Sequence, residues 1–180
     1  VVGYSGNLGR AHDYIALLQA ANALHDCNDL LFLFIGGGAG MNRFRREVEE
    51  ANLRNVLFLP YQPLDRLGQS LAIPDIQVVL LRPEMEGLVF PSKLYGILAV
   101  GRPVLFLGDP AGEIAHLVIQ NDCGFVVDCK DSESLIGLLK RIRREPLLLQ
   151  RKGTNAKALY DRSFYHGCSL RRWKNLLAFL

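Results

Sequence analysis

The sequence predicts an α/β fold, a doubly wound parallel sheet of about six strands with helices at its C-terminal end. Three observations predict it. Short apolar runs alternate with stretches of helical period from Val1 to Val127. Those runs are apolar on both faces rather than at every second position, the pattern of strands covered on both sides. Hydrophobic residues make up 49% of the 180, enough for one full core, so residues 1–180 read as a single domain. Right-handed crossovers make such a chain Rossmann-like, with an expected strand order of 3-2-1-4-5-6.

Each element follows from local chemistry. Residues 1–5 read as a buried strand, and 6–12 as the loop after it. Residues 13–25 carry Ile15, Leu17, Leu18, Ala21 and Leu24 as one apolar stripe of a helix. A second strand, 30–35, stops in Gly36-Gly-Gly-Ala-Gly40, and 41–52 forms a charged helix with Phe44, Val48 and Ala51 inward. Strand 55–59 is closed by Pro60, short helix 64–71 follows, and strand 75–81 comes next. Pro91 and Ser92 open a helix that Gly101-Arg102-Pro103 closes, since proline is tolerated in a first turn and Ser92 can cap its amides. Strand 104–107, helix 113–121 and strand 124–127 complete the alternation; helices 132–144, 147–161 and 169–180 end the chain.

With that strand order, the crossover direction reverses between strands 1 and 4, and ligands of such sheets bind outside the carboxyl ends there. The two loops at that crevice are 6–12 and 82–92. The first carries Arg10 and His12, an arginine able to clamp a phosphate with two donors and a histidine able to give one when protonated. The second leads to Ser92 and Lys93, a helix start with a mobile cation beside it, which suits an anion. On residues alone, Arg10 also reads as a solvated surface charge and Pro83-Glu-Met-Glu86 as a solvated acidic loop. Gly36-Gly-Gly-Ala-Gly40 reads equally as a flexible turn and as a phosphate or ribose contact. It is no dinucleotide fingerprint, because Met41 stands where the third glycine belongs and Pro60 where an acidic residue would end the next strand. No GxxxxGK[ST] occurs, which excludes a P-loop.

Bulk properties remove other classes. A net charge of +3 is too mild for nucleic acid. Cys27, Cys123, Cys129 and Cys168 lack tight spacing and read as reduced thiols of a cytoplasmic domain, with no metal expected. The longest apolar run, 30–35, has strand length, so no span is expected. The basic run 140–144 reads as a helix end favoured by the dipole. The start at Val1, already inside a strand, reads as a piece of a longer protein.

Tyr4-Ser-Gly-Asn-Leu-Gly-Arg-Ala-His-Asp13, Pro91-Ser-Lys-Leu-Tyr-Gly-Ile-Leu-Ala-Val-Gly-Arg-Pro103 and Gly108-Asp-Pro-Ala-Gly-Glu113 together resemble the retaining GT-B glycosyltransferases. The likeness is to the branch that builds bacterial capsular, colanic-acid and other exopolysaccharides. It implies the C-terminal, donor-binding half of a two-domain enzyme, with the acceptor held by an N-terminal half. The implied substrate is a UDP- or GDP-sugar, with no cofactor; the implied partners are that donor and a sugar or lipid-linked acceptor. The whole protein would work in the cytoplasm, in peripheral contact with the inner face of a membrane.

Carried onto this chain, the resemblance gives Arg10 and Lys93 the catalytic task of stabilising the departing diphosphate. Gly6, Asn7, Gly9, His12, Gly87, Leu88, Val89 and Ser92 would meet donor and phosphates, the last four from the second loop. Gly37, Pro60, Tyr61, Glu84 and Glu86 would meet the nucleoside. Two positions depart from the family pattern. Gly96 stands where many relatives keep a ribose-binding glutamate, and Asn7 and His12 stand where many keep an arginine and a lysine. Two alternatives stay open, a nucleotide-sugar epimerase-like domain and a non-catalytic nucleotide- or partner-binding module.

Overall fold

A computed structural model describes residues 1–178. Its strands are β1 (Val2–Asn7), β2 (Phe32–Gly37), β3 (Val56–Leu59), β4 (Ile76–Leu80), β5 (Val104–Gly108) and β6 (Gly124–Asp128). They form one sheet in the order β3-β2-β1-β4-β5-β6, parallel throughout. This is the expected doubly wound arrangement. Helices α1 (Ile15–Ala23), α2 (Ala39–Glu50), α3 (Leu67–Ala72), α4 (Lys93–Ala99) and α5 (Glu113–Gln120) connect the strands. Helices α6 (Ser132–Ile142), α7 (Pro146–Leu159) and α8 (His166–Leu177) follow, with a π-helical stretch, Tyr160–Phe164, between the last two. Phe179 and Leu180, the end of the last expected helix, lie outside the described residues.

The central strands β4 and β5 are buried at every position, and the period of two sends their side chains alternately to two cores. Ile76, Val78, Leu80, Leu105 and Leu107 join the core under α1, α2 and α6. Val79, Leu81, Val104 and Phe106 join the core under α4, α5 and α7. Each fully buried branched or aromatic side chain here contributes on the order of 2 kcal/mol of transfer free energy.

Three expectations change. Ile15 begins α1 on the solvent side and is 44% exposed, while Ala16, Leu17, Ala20 and Ala21 make the buried face. Small residues there let α1 lie close against α6. Ala51 is exposed as the C-cap of α2, and Met41 takes a buried place in its stead. The short helix before β4 divides into a 3-10 turn, Leu64–Arg66, and α3.

One feature of the register positions the site. β1 and β2 stay paired as far as Asn7 and Gly37. β1 and β4 pair only at Val2 with Ile76 and Gly3 with Gln77. The two strands therefore part towards their carboxyl ends, and the loops after them face each other across the opening.

Candidate functional site

The first wall of this crevice is built by glycines. Gly6 and Gly36 both have positive φ, +129° and +134°, and a Cβ on Gly36 would run into the Gly6 carbonyl oxygen. That close approach lets Leu8 N–H donate to Gly37 O at 2.8 Å and Gly40 N–H to Leu8 O at 2.9 Å. The 6–9 segment is thus fastened to the turn after β2. The Asn7 amide lies against Gly38, and the Tyr61 ring lies over Gly37, where a Cβ would stand 3.1 Å from Cε2. Gly37 and Tyr61 are thus brought together, with Pro60 next to Tyr61 in the chain. Tyr61 is 59% exposed, and the Pro60 carbonyl accepts from Gln62 Nε2 at 3.0 Å.

The second wall is tied to the first by Arg82. Its N–H donates to Ala11 O at 2.9 Å and its Nε to His12 O at 3.3 Å. Sequence reasoning used Arg82 only as a loop boundary. The available signal was a cation at the carboxyl end of strand 4, beside the switch point. Beyond it the Pro83–Met85 turn continues into 88–89, where the Leu88 and Val89 N–H groups both donate to Met85 O at 3.1 Å. Leu88 and Val89, expected to meet the phosphates, therefore have their amides engaged inside the turn. Gly87 reverses the chain there with φ +75°. Glu84 is exposed. Glu86 turns the other way: Oε1 accepts the Glu113 N–H at 2.7 Å, held by the positive end of α5. Its Oε2 is buried without a partner.

Ser92 stands at the N-cap of α4 but does not cap it. Its backbone is already helical, φ −57° and ψ −23°, and its side chain makes no capping bond; a capping residue needs an extended backbone to bring its oxygen back onto the helix. The hydroxyl is left exposed at the crevice.

Lys93 is the largest difference from expectation. Rather than moving freely in water, it folds back so that Nζ lies 3.4 Å from the centroid of the Tyr4 ring. A Cβ on Gly6 would stand 4.0 Å from Nζ. The ammonium is buried and has no hydrogen-bond partner. Burial lowers its pKa from 10.5 to about 7. Tyr4 is fully buried, its hydroxyl donates to Asn7 O at 2.9 Å, and burial raises its pKa further above 10.

His12 also differs. Its Nδ1 accepts the Gly9 N–H at 3.0 Å, which leaves the neutral ring's proton on Nε2. Burial first, then the nearby Lys93 charge, lower its pKa to about 4. The expected protonated donor is instead a neutral imidazole with one N–H to give. Arg10 is exposed on the same loop. Gly96 faces α3, where a Cβ would stand 2.9 Å from Leu71 Cδ1, so this position is packed away from the crevice. Among the described residues no three His, Cys, Asp or Glu side chains gather as a metal site, and no helix is long and apolar enough to cross a membrane.

The crevice thus gathers Arg10, Arg82, Lys93 and neutral His12 around a glycine-lined floor, with the Gly37–Tyr61 ledge at one side. Such a site can take an extended anion with an aromatic or sugar portion beside it. Comparison with known proteins agrees in fold and family. The chain is 31% identical over 97% of its length to the "Putative colanic acid biosynthesis glycosyl transferase WcaI" of Escherichia coli K12, covering 42% of that protein. It superposes on HepE of Anabaena in complex with UDP-glucose with a TM-score of 0.80 and 19% identity, covering 99% of this chain and 48% of that one. It also superposes on the C-terminal domain of the group 1 glycosyl transferase LpcC of Francisella tularensis, with a TM-score of 0.73 and 16% identity, covering 91% of this chain and 85% of that one. The chain spans less than half the length of the curated relatives it matches. The model of the family described as "Glycosyl transferases group 1" matches residues 1–159, every strand and every crevice residue included, and the chain belongs to that family.

Proposed function

We propose that this chain is the donor-binding half of a retaining glycosyltransferase that takes a nucleotide-diphosphate sugar and works in surface polysaccharide or glycolipid synthesis. The observation that carries the reading is the meeting of two loops where β1 and β4 part, laced by Arg82 and roofed over a buried, unpartnered Lys93. A diphosphate supplies the charge that Lys93 lacks. Arg10, Arg82 and Lys93 would offset the negative charge that grows on the leaving diphosphate as the sugar departs, the usual way a preorganised site lowers such a barrier. Asn7, His12 Nε2, the Ser92 hydroxyl and the amides near Gly6, Gly9 and Gly87 supply hydrogen bonds to phosphate or sugar. Leu88 and Val89 contribute their side chains, since their amides are engaged. Gly37, Pro60 and Tyr61 take the base, and Glu84 is the carboxylate free to reach a ribose hydroxyl. Acceptor contacts belong to an N-terminal half. The relationship to a colanic-acid protein and the fold shared with UDP-glucose-bound HepE both support this reading.

Calorimetric titration with UDP and with GDP tests it. One of the two is expected to bind with a Kd between millimolar and micromolar and to be weakened at least tenfold by Lys93→Ala. Absence of heat with both nucleotides rejects the site.

One observation favours a second reading. Gly96 leaves α4 without the carboxylate that many relatives use, and Leu71 fills the space. A module that binds a nucleotide or partner without transfer would keep partner binding in Lys93→Ala, whereas a transferase loses turnover.

A further inference from the structure

We propose that Tyr4 is a positioning residue that holds the Lys93 amine beneath the glycine loop until the donor arrives, and that the diphosphate then draws Lys93 to itself and a proton onto the amine. The inference rests on reading the crevice as a nucleotide-diphosphate site. It adds a role for a fully buried core tyrosine and a coupling between donor binding and pH.

Geometry carries the proposal. Nζ sits 3.4 Å above the Tyr4 ring, well inside cation–π range. It is buried without a hydrogen-bond partner, although an amine at that depth is normally satisfied. Gly6 of the loop lies against it, since a Cβ there would stand 4.0 Å from Nζ, at van der Waals contact. The Tyr4 hydroxyl separately pins Asn7 O, so the same residue fixes the loop and holds the lysine. The charged and titratable groups facing this point come from three sides. Tyr4 lies on β1 with Tyr61 near it, His12 and Arg82 lie in the two loops, and Arg10 is exposed on the first of these. Among the described residues no carboxylate pairs with Lys93. Burial disfavours the ammonium, and the ring face favours it.

A diphosphate reverses that balance. As it enters, Nζ swings from the ring to a phosphate oxygen. The amine fraction that was neutral takes a proton from a buffer acid: the N–H bond at Nζ forms as the bond holding that proton in the acid breaks, leaving its conjugate base in solution. Donor affinity should then fall with rising pH across the range in which free Lys93 loses its proton, consistent with its lowered pKa.

The test is calorimetry of the protein with UDP and with GDP between pH 7 and 8.5, above the titration of the terminal phosphate. Parallel runs use two buffers of different ionisation enthalpy. The wild type should take up a proton on binding at pH 8 and lose about tenfold in affinity by pH 8.5. Lys93→Arg should bind without proton uptake and with a flat profile. Tyr4→Phe keeps the ring and should keep the wild-type profile, while Tyr4→Leu should bind severalfold more weakly at pH 7 with its decline displaced to lower pH. The Lys93 ε-methylene signal in NMR needs no variant at Tyr4. It should lie upfield under the ring current and return downfield when UDP or GDP is added. Binding with no proton uptake and a flat profile overturns the coupling while leaving the site intact. An unmoved ε-methylene signal, or a Tyr4→Leu profile like the wild type's, overturns the role of Tyr4. No binding of either nucleotide overturns the site and this inference together.

Discussion

Two buried lysines lie at opposite ends of the sheet, each over an aromatic ring, and they differ in every other respect. Lys152 of α7 reaches Asp122, just ahead of β6, at 2.7 Å and lies 4.6 Å from the Phe125 centroid. Its bond is the first cause of the lowered Asp122 pKa, and Asn155 reinforces the carboxylate. Lys93 has the Tyr4 ring and nothing else. The same contrast holds for the two ends as wholes. The amino end contains a cavity of about 860 Å³ lined by Val1, Asp29, Arg102, Leu139, Arg143 and Lys157 among others. Arg143 pairs there with Asp29 at 3.0 Å, Lys157 with Asp161 at 2.6 Å and the Val1 ammonium with Asp75 at 2.5 Å, and Arg102 donates to Ala72 O. The carboxyl end leaves Ser5 Oγ, Glu86 Oε2 and Lys93 Nζ buried and unpartnered; at the amino end Asn55 Oδ1 and Gln77 Oε1 are unpartnered too, but both belong to neutral amides whose nitrogens donate to Ala21 O and Leu71 O. Hollow volume does not mark the site here. A buried cation without any hydrogen-bond partner distinguishes the proposed site, because such a group costs stability that a bound anion recovers.

The largest expected effect breaks that contrast directly. Lys93→Ala in the full-length protein should lower the proposed sugar transfer by about 100-fold or more, the scale set by removing one charge-stabilising donor. Lys152→Ala should leave turnover per folded molecule unchanged. An assay of sugar transfer at saturating donor, normalised to folded protein, decides between them.

Stability should move in the opposite direction. Lys152→Met removes a paired cation and should cost about 1–2 kcal/mol in urea unfolding. Lys93→Met removes an unpaired one and should be neutral or stabilising at pH 7. The folded pKa of Lys93, about 7, lies below its unfolded 10.5. The unfolded chain therefore binds more protons between those values, and this lysine makes stability rise with pH across that window. The wild type should show that rise up to pH 9.5 and Lys93→Met should lack it. Cys123 and Cys129, whose thiol pKa values burial raises, act in the opposite sense from about pH 9 in both proteins, so the difference between the two curves is the measure, and parallel curves reject the assignment of Lys93 as a buried amine.

These effects also show what a sequence carries and what it does not. The strand order was legible because apolar runs such as residues 104–107 and 124–127 have lengths and spacings that only strands of a parallel sheet satisfy. The two crevice loops followed from that order and from glycines at strand ends. Helix faces were less legible. Ile15 fits a stripe by period, but the small residues Ala16 and Ala20 take the buried face beside Leu17. The site's chemistry was least legible, since it depends on which groups meet across the fold. Lys93 reads as a surface cation until Tyr4, far away in sequence, appears beneath it. Ser92 reads as a cap until its backbone is seen to be helical. His12 reads as a protonated donor until the Gly9 N–H occupies Nδ1. Arg82 went unread because its partners, Ala11 and His12, belong to another loop.

The smallest expected effect is at the amino end. Arg143 and Asp29 form one ion pair on the cavity rim, with side chains 32% and 63% exposed. Water screens such a pair, and two long side chains lose rotamer freedom to make it, so exposed pairs contribute roughly 0.5 kcal/mol or less. Arg143→Gln should therefore shift the unfolding midpoint barely beyond error, and less still in high salt. Its effect on UDP or GDP affinity should be nil, because the cavity opens at the amino ends of the strands and the crevice at their carboxyl ends. A loss of nucleotide affinity in Arg143→Gln, at unchanged stability, would place a ligand in the larger hollow and dismantle the contrast between the two ends.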